Sequence, residues 1–397
     1  MSKSYVLRPA QRLPVRGSFD VAVVGGGIAG VAAAVAAARM GAKTCLIEKE
    51  HALGGLATLG LVVYFLPLCD GKGHQLIAGL GEELLKASIK YGPGEIPAPW
   101  RRKKASRAAR TRQRYRLRFW PASYILALDE LVLQAGVKLF FDTRFCGVHR
   151  SRNRIEYLLI ENKDGAGALG VKSVVDASGD ADVCAAAGEA TVCRSDNRRS
   201  GWYFAFDRGD VKLFPLHDPL YGKPKRGLPL FAGHVADSVT ALSLAGRQMV
   251  RDHYTKLRGR RARQKVFPLT VPTMPGFRMT RRLKGAFALD EAHAHQPFKD
   301  AVGMSGDWRK AGPAYQIPLR CLAGTRNDNL LAAGRCISTT DAAWYWARAI
   351  PTCAVTGEAA GAAAAFASRR RPRLTGLSLP HLRRHLRRRG VLLDLPE

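Results

Sequence analysis

A chain of 397 residues, 47% of them hydrophobic, is long enough to bury a large core in about two domains, and its composition excludes a disordered chain as the default state. Its formal net charge of +31 would attract polyanions such as RNA or a membrane surface. Most of the excess sits in three runs, 101–118, 256–265 and 369–389, and charge blocks of this kind usually form solvated faces.

Residues 1–20 carry basic side chains but no apolar stretch followed by a small-residue cleavage site, so no secretory signal is expected and the chain is placed in the cytoplasm. Residues 20–24 read as a buried strand, 28–40 as an Ala-rich helix stopped by Gly41, and 44–47 as a second strand. The apolar run 21–38 is broken by Gly25, Gly26, Gly27 and Gly30, which makes it strand, turn and helix rather than a membrane span. Helices are expected over 75–91 and 122–135, separated by a Pro- and Arg-rich loop or insertion at 92–118. Aromatic residues are thin in that basic run, with Trp100, Tyr115, Phe119 and Trp120 in or beside it, and no RNA-binding signature accompanies them.

Segments 138–148, 155–161 and 171–175, joined by turn-rich 151–154 and 164–170, predict a β-meander. Residues 202–206 alternate as a strand, 235–257 follow a long helical pattern, and 268–318, punctuated by Pro and Gly, suggest irregular strands. The chain then returns to a strand at 329–333 and an Ala-rich helix at 352–366. Eight cysteines without a Cys-x-x-Cys spacing fit thiols in a reducing compartment, used as small buried hydrophobes. A zinc site or an iron–sulfur cluster would need closer spacing; no metal is expected.

Gly25-Gly-Gly27-Ile-Ala-Gly30 satisfies G-x-G-x-x-G between a strand and a helix, and Glu48 closes the next strand. Gly25 permits the tight turn, Gly27 leaves room for a pyrophosphate, and Gly30 lets helix and strand pack closely. The free N–H groups at the helix start face the phosphates. Glu48 would accept hydrogen bonds from ribose hydroxyls and repel a 2′-phosphate. Instead of continuing with regular βα units, the sequence goes on to Leu53-Gly54-Gly55-Leu56-Ala57-Thr58.

With that Gly-Gly pair, the opening resembles the two-dinucleotide-binding-fold flavoproteins. Asp176-Ala-Ser-Gly179-Asp180 resembles their second FAD motif, and Asn329-Leu-Leu-Ala-Ala-Gly334-Arg335-Cys-Ile-Ser338 resembles the third. With Pro351-Thr-Cys353-Ala-Val-Thr-Gly357-Glu-Ala-Ala-Gly361, the set is most similar to the FAD-dependent oxidoreductase family, which includes relatives of the heterodisulfide reductase flavoprotein subunit. The resemblance implies an α/β fold: a Rossmann-like FAD-binding domain of parallel sheet, β-meander and helices, with an inserted α+β substrate domain. The expected boundaries are 15–190 and 326–368 for the FAD-binding parts, 191–325 for the substrate domain, and 369–397 for a basic helical tail.

The same resemblance assigns cofactor contacts to Gly25, Gly27, Ile28, Ala29, Gly30, Glu48 and Lys49, and places Gly54, Gly55, Leu56, Ala57 and Thr58 along the pyrophosphate and ribityl chain. Phe145 would hold adenine through its backbone, and Ala177, Ser178, Gly179 and Asp180 would pass behind the dinucleotide. Gly334 and Arg335 would meet the ribityl chain, where the Arg335 cation could pair with a phosphate or with reduced flavin. A helix opening at Thr352 would put Thr352, Cys353, Ala354 and Thr356 near the flavin ring, its dipole stabilising negative charge there, with Cys353 as a packing residue.

For chemistry on the substrate, Arg281, Arg282, Tyr315, Asp341 and Arg348 are the candidates, the Arg pair suiting a carboxylate or other anionic small molecule. Trp344, Tyr345 and Trp346 would wall an apolar pocket. His293 and His295 suit neither a metal pair nor an acid–base couple, and His74 reads as structural. The expected activity is hydride transfer from a small organic substrate to flavin, with an unidentified electron acceptor. The competing readings are a flavoprotein acting on or binding RNA through its basic runs, an electron-transfer subunit serving an iron–sulfur partner, and a flavin binder without turnover.

Overall fold

A computed structural model describes residues 10–102, 104–219, 226–260, 265–370 and 376–396. Parts of the three basic runs, at 103, 261–264 and 371–375, lie outside them. Strand β1 (Val15–Val24), helix α1 (Ile28–Arg39) and strand β2 (Thr44–Ile47) form the opening βαβ unit. β1 and β2 pair in parallel from Val21 with Thr44 to Val24 with Ile47. Residues 21–24 of β1 and all of β2 are buried on each face, which is why they read as unbroken apolar runs.

The next elements are β3 (Tyr64–Phe65), α2 (Leu80–Ala87), α3 (Ala98–Arg101), α4 (Arg107–Arg112), β4 (Leu117–Arg118) and α5 (Pro121–Gln134). The expected helix 75–91 is thus shorter. Gly79 takes φ 58, and the buried Glu358 accepts a bond from the Leu80 N–H at 2.9 Å, so the helix begins there. The expected loop 92–118 holds two short helices and a strand, with Trp100 stacked on Tyr115 at 4.9 Å.

β5 (Lys138–Phe140), β6 (Arg144–Ser151), β7 (Arg154–Asn162) and β8 (Gly165–Asp176) follow, then the short helix α6 (Asp182–Ala186). One sheet runs in the order β5-β2-β1-β8-β7-β6. It is parallel from β5 to β8 and antiparallel through the meander. The expected turn at 164–170 is corrected: only Asp164 lies in the turn, while residues 165–170 belong to β8, where they pair with β7 and, at Ala168 and Gly170, with β1. Glycine is needed there for close approach, since a Cβ on Gly167 would lie 2.6 Å from the Arg16 side chain and one on Gly170 2.8 Å from Ser18 Oγ.

β9 (Thr191–Cys193), β10 (Tyr203–Asp207), β11 (Asp210–Phe214), α7 (Ala236–Arg260), β12 (Val266–Thr270), β13 (Arg281–Leu283), β14 (Ala301–Gly306) and β15 (Ala314–Pro318) make up the middle of the chain. β11, β10 and β12 form a three-stranded sheet, while β13 pairs with β9 and β14 with β15. The chain then returns through β16 (Leu330–Ala332), α8 (Asp341–Ala347), α9 (Ile350–Arg370) and α10 (Leu379–Arg388).

β16 pairs in parallel with the last three residues of β8, whose earlier residues on the same edge are taken by β7. Asn329 closes the gap this division leaves. Buried to 1% exposure, its side chain accepts from Ile155 N at 3.0 Å and donates to the carbonyls of Ile155 and Lys172 at 2.8 and 2.9 Å.

Helices α1 and α9 meet almost backbone to backbone. A Cβ on Gly357 would lie 2.2 Å from Ala29 O, and one on Gly361 2.1 Å from Ala33 O. That approach explains the Gly-x-x-x-Gly spacing in α9 and the alanine content of both helices, and it brings the third sequence motif against the first. Among the described residues no helix is long and apolar enough to cross a membrane.

Candidate active site

The four glycine-bearing segments of the sequence converge at the carboxyl ends of β1, β2, β8 and β16. Gly25 donates to Ile47 O at 2.8 Å, and Ala177 donates to Val24 O at 2.9 Å. Gly25 (φ 101) has Ala177 O 2.5 Å from its Cβ position. Gly54 donates to Gly26 O at 2.8 Å, and Gly55 lies over Gly27, whose Cα would be 3.2 Å from a Gly55 Cβ. On the far side, Gly334 (φ 66) rests against Ala29, 2.7 Å from a Cβ position, and donates to Thr356 Oγ1 at 2.9 Å.

Amid this crowding Gly27 differs. A Cβ there would have no atom within 4 Å, so the turn holds an open cradle directly at the start of α1. Gly27 caps α1 without a side-chain bond, leaving the first N–H groups for an anion. Glu48, 5% exposed, lies at the side of the cradle and accepts from Gly26 N at 2.6 Å and Glu50 N at 2.9 Å. Burial pushes its carboxyl upward against those two N–H donors. Lys49 is exposed, and Phe145 is half-buried against the hydrophobic cluster behind the meander, opposite Ile160.

Loop 53–58 is self-braced. Thr58 Oγ1 donates to Leu53 O at 2.6 Å, and Thr58 and Ala57 are buried, so only Leu56 keeps appreciable exposure among Leu56, Ala57 and Thr58. In the second motif, Asp176 accepts from Ser178 N and Oγ and from Cys184 N at 2.6 to 3.1 Å.

Arg335 is held by protein acceptors: its Nε donates to Gly179 O at 2.5 Å, one terminal nitrogen to Phe277 O at 2.6 Å, and the other to Asp180 Oδ1 at 2.9 Å. The cation ties the third motif to the second. Arg281 similarly donates to Asp180 O and Asp182 Oδ1 at 2.8 and 2.6 Å. Arg282, 5% exposed, donates to Thr339 O and Asp341 Oδ1 at 2.8 and 2.9 Å and lies 4.8 Å over the Trp344 ring. Asp341 also receives Arg194 at 2.5 Å. Three of the five catalytic candidates are therefore partners in ion pairs within the protein, Arg281 with Asp182 and Arg282 with Asp341, for a reason no single position discloses: the paired residues lie in segments distant in sequence.

Tyr315 and Arg348 are placed differently. Tyr315 stacks on Trp346 with ring centres 4.1 Å apart, and among the described residues no protein group bonds its hydroxyl. Burial, followed by the nearby Asp307 and Glu291 carboxylates, pushes the phenol up to about 12. Arg348 lies 5.9 Å from the ring centre of Tyr345, which also meets Arg309.

Helix α9 opens at Ile350, two residues ahead of the expected start, with Pro351 inside its first turn, where a missing N–H costs nothing. Thr352 Oγ1 donates to Trp346 O at 3.1 Å and meets Ser305 Oγ at 2.6 Å, and Thr356 supports Gly334. Both threonines and Ala354 are fully buried, so they shape the site from behind. Cys353 keeps some exposure; burial pushes its thiol up to about 11, and it donates to Arg348 O at 3.3 Å. That is an un-ionised packing thiol.

Sequence reasoning passed over Asn329, Glu189 and Asp176 as structural anchors. Glu189 accepts from the N–H groups of Thr325, Arg326 and Asn327 at 2.8 to 3.2 Å. For Asn329 and Asp176 the signal available was a polar residue at the edge of an apolar strand run; Glu189, in the loop after α6, carries no such local signal.

A parallel sheet with a meander, an uncapped helix start over a glycine cradle, and an acidic residue closing the second strand define a dinucleotide-binding flavoprotein. The profile of the family described as "FAD dependent oxidoreductase" matches residues 20–208 and 229–386, and the chain belongs to that family. It is an oxidoreductase with FAD as cofactor.

A stretch of 111 residues is 38% identical to the tRNA uridine 5-carboxymethylaminomethyl modification enzyme MnmG of Geotalea uraniireducens (strain Rf4), covering 25% of this chain and 16% of that enzyme. The chain therefore spans a small part of that relative's length. Among solved structures it is similar to a geranylgeranyl bacteriochlorophyll reductase-like protein of Thermoplasma acidophilum, at 16% identity and TM-score 0.46 over 96% of this chain and 94% of that one. It is also similar to the flavin-dependent monooxygenase PieE in complex with FAD and substrate, at 13% identity and TM-score 0.38 over 88% and 57% of the two chains.

Proposed function

We propose that the chain oxidises a small organic substrate by hydride transfer to FAD held in the cradle over Gly27. The observation carrying this reading is the open space at Gly27, between an uncapped helix start and Glu48, in a turn otherwise closed by contacts. The N–H groups of Ile28, Ala29 and Gly30 hold the pyrophosphate, assisted by a helix dipole worth about 0.3 to 1 kcal/mol per charge at an exposed site. Glu48 accepts from the adenosine ribose, Phe145 presents backbone to adenine, and loop 54–58 covers the ribityl end. When bound, FAD supplies the two-electron acceptor.

At the ring end, Trp346 fixes the plane of Tyr315 by stacking. The Tyr315 phenol stays protonated throughout the neutral range, which suits it to donating a hydrogen bond or a proton to a substrate oxygen. Arg348 offers a cation to an anionic substrate group. Arg281, Arg282 and Asp341 act as positioning residues that lock the middle of the chain onto the second and third motifs.

The purified protein is expected to carry flavin absorption bands that bleach anaerobically with a suitable donor. Gly27→Trp and Glu48→Ala should each remove the colour; full retention in both variants would refute the site.

A further inference from the structure

Helix α10 has an apolar face turned inward and a basic face turned out. Leu382 and Leu386 are 1% and 0% exposed, and the helix rests on α9 and β14, with His385 edge-on to Phe366 at 5.8 Å. The chain after it is anchored too, because Gln316 Nε2 donates to Leu393 O at 2.7 Å. The helix is a seated platform, and its basic residues project from a fixed base.

Those residues line an open concavity of about 680 Å³ formed by Lys299, Arg383, Arg384, Arg387, Arg388 and two apolar residues of the first helical turn. Five cations and no acid line it. Arg383 is steered into place by donating to the carbonyls of Phe298 and Lys299 at 3.3 and 2.5 Å. Arg387 meets the exposed Asp394 at 2.9 Å. Among the described residues no carboxylate pairs with Lys299, Arg383, Arg384 or Arg388. Arg383 with Arg387, and Arg384 with Arg388, stand one helical turn apart, forming two parallel rows about 5 to 6 Å in step.

We propose that this concavity docks nucleic acid through its phosphodiester backbone. Charge complementarity carries the assignment: guanidinium rows in fixed register suit successive phosphates bidentately. No aromatic or amide side chain lines the site, so neither base stacking nor amide readout of adenine is available, and the contacts assigned here are to phosphates, which carry no sequence information. A membrane fits less well, because Leu382 and Leu386, the apolar face of the helix, are buried in the fold and leave only Leu379 and Pro380 at the surface. The surface is separate from the flavin cradle, and the proposal stands whether or not the assigned hydride chemistry does.

The test uses the full-length, FAD-loaded protein with a fluorescent RNA duplex, a DNA duplex of equal length, and vesicles of phosphatidylserine and phosphatidylcholine, titrated over a series of salt concentrations. Both duplexes should bind with comparable affinity, and the log–log salt slope should approach about −4, since each neutralised phosphate contributes about −0.9. The double variant R384E/R388E should bind at least roughly tenfold more weakly, with a slope shallower by about 2. Its flavin spectrum and melting temperature should be unchanged. A charge-matched control, R102E/R112E in the first basic run, should lose far less.

Equal losses in the two double variants would show an effect of net charge alone and overturn the assignment. So would unchanged binding by R384E/R388E, tighter binding to vesicles than to duplex, or a strong preference for one nucleic acid over the other.

Discussion

Gly27 and Gly30 belong to one turn, yet a methyl group would have opposite consequences at the two. At Gly27 it would project into the empty cradle, whereas at Gly30 it would stand 1.7 Å from Gly25 O. Gly27→Val is therefore expected to abolish FAD binding while leaving the apoprotein's unfolding midpoint within error. Gly30→Ala should destabilise the apoprotein by about 1 to 3 kcal/mol or more through overpacking. Urea titration of the apoproteins beside flavin fluorescence separates the two effects, and equal destabilisation by both variants would contradict the cradle.

Glu358 gives a second expectation at the same scale. It is 4% exposed, and desolvation is the main cause lifting its carboxyl to about 8, helped by Glu83 and opposed by Leu80 N–H, Arg389 and Arg39. The folded value lies above the unfolded one, so the fold binds the extra proton. That contribution is complete below the unfolded value of 4.5 and is lost as pH rises through about 8. Between about pH 5 and pH 9, wild-type stability should fall relative to Glu358→Gln by on the order of a few kcal/mol. Parallel stability curves would mean that Glu358 enters the fold ionised.

At the scale of elements, the division of one β8 edge between β7 and β16 depends on Asn329. Asn329→Ala would remove the side-chain partner of the Ile155 N–H and carbonyl and leave the Lys172 carbonyl to Arg154 alone, in a buried seam where each unmatched group costs about 1 to 3 kcal/mol. A loss on the order of 3 kcal/mol in denaturant unfolding is expected. FAD affinity should weaken as well, because β16 delivers Gly334 to Ala29; a stability loss with unaltered affinity would separate the seam from the site.

The elements also show what the sequence could reveal. The β1-α1-β2 unit was legible because buried strands and an Ala-rich helix leave strong local patterns, and the meander was legible from its turns. The start of β8 was not, since Gly165, Gly167 and Gly170 look like a turn until Arg16 is known to press against Gly167 and Ser18 against Gly170. The open turn at Gly27 was legible from contiguous residues. The fate of Arg281, Arg282 and Arg335 was not, because an arginine's sequence neighbourhood does not say whether its carboxylate partner is a substrate or Asp182, Asp341 and Asp180.

Across the whole molecule, the cradle is assembled from three separated stretches of chain: β1 with α1 and β2, the end of β8, and β16 with the start of α9. Each holds the others through backbone contacts at Gly25, Gly334, Gly357 and Gly361. A ligand touching all three stretches should bind only when all three are folded, so its binding energy adds to the stability of the entire sheet. At free FAD a hundredfold above its dissociation constant, the linkage amounts to about 2.7 kcal/mol. Urea unfolding followed at increasing FAD should show the unfolding free energy raised by that amount and the midpoint moved upward by it divided by the denaturant slope, growing with the logarithm of concentration, and the shift should vanish in Gly27→Val. A shift that persists in Gly27→Val would mean that FAD stabilises the protein from somewhere other than the cradle. A midpoint that ignores FAD in the wild type would mean that the three stretches do not unfold as one.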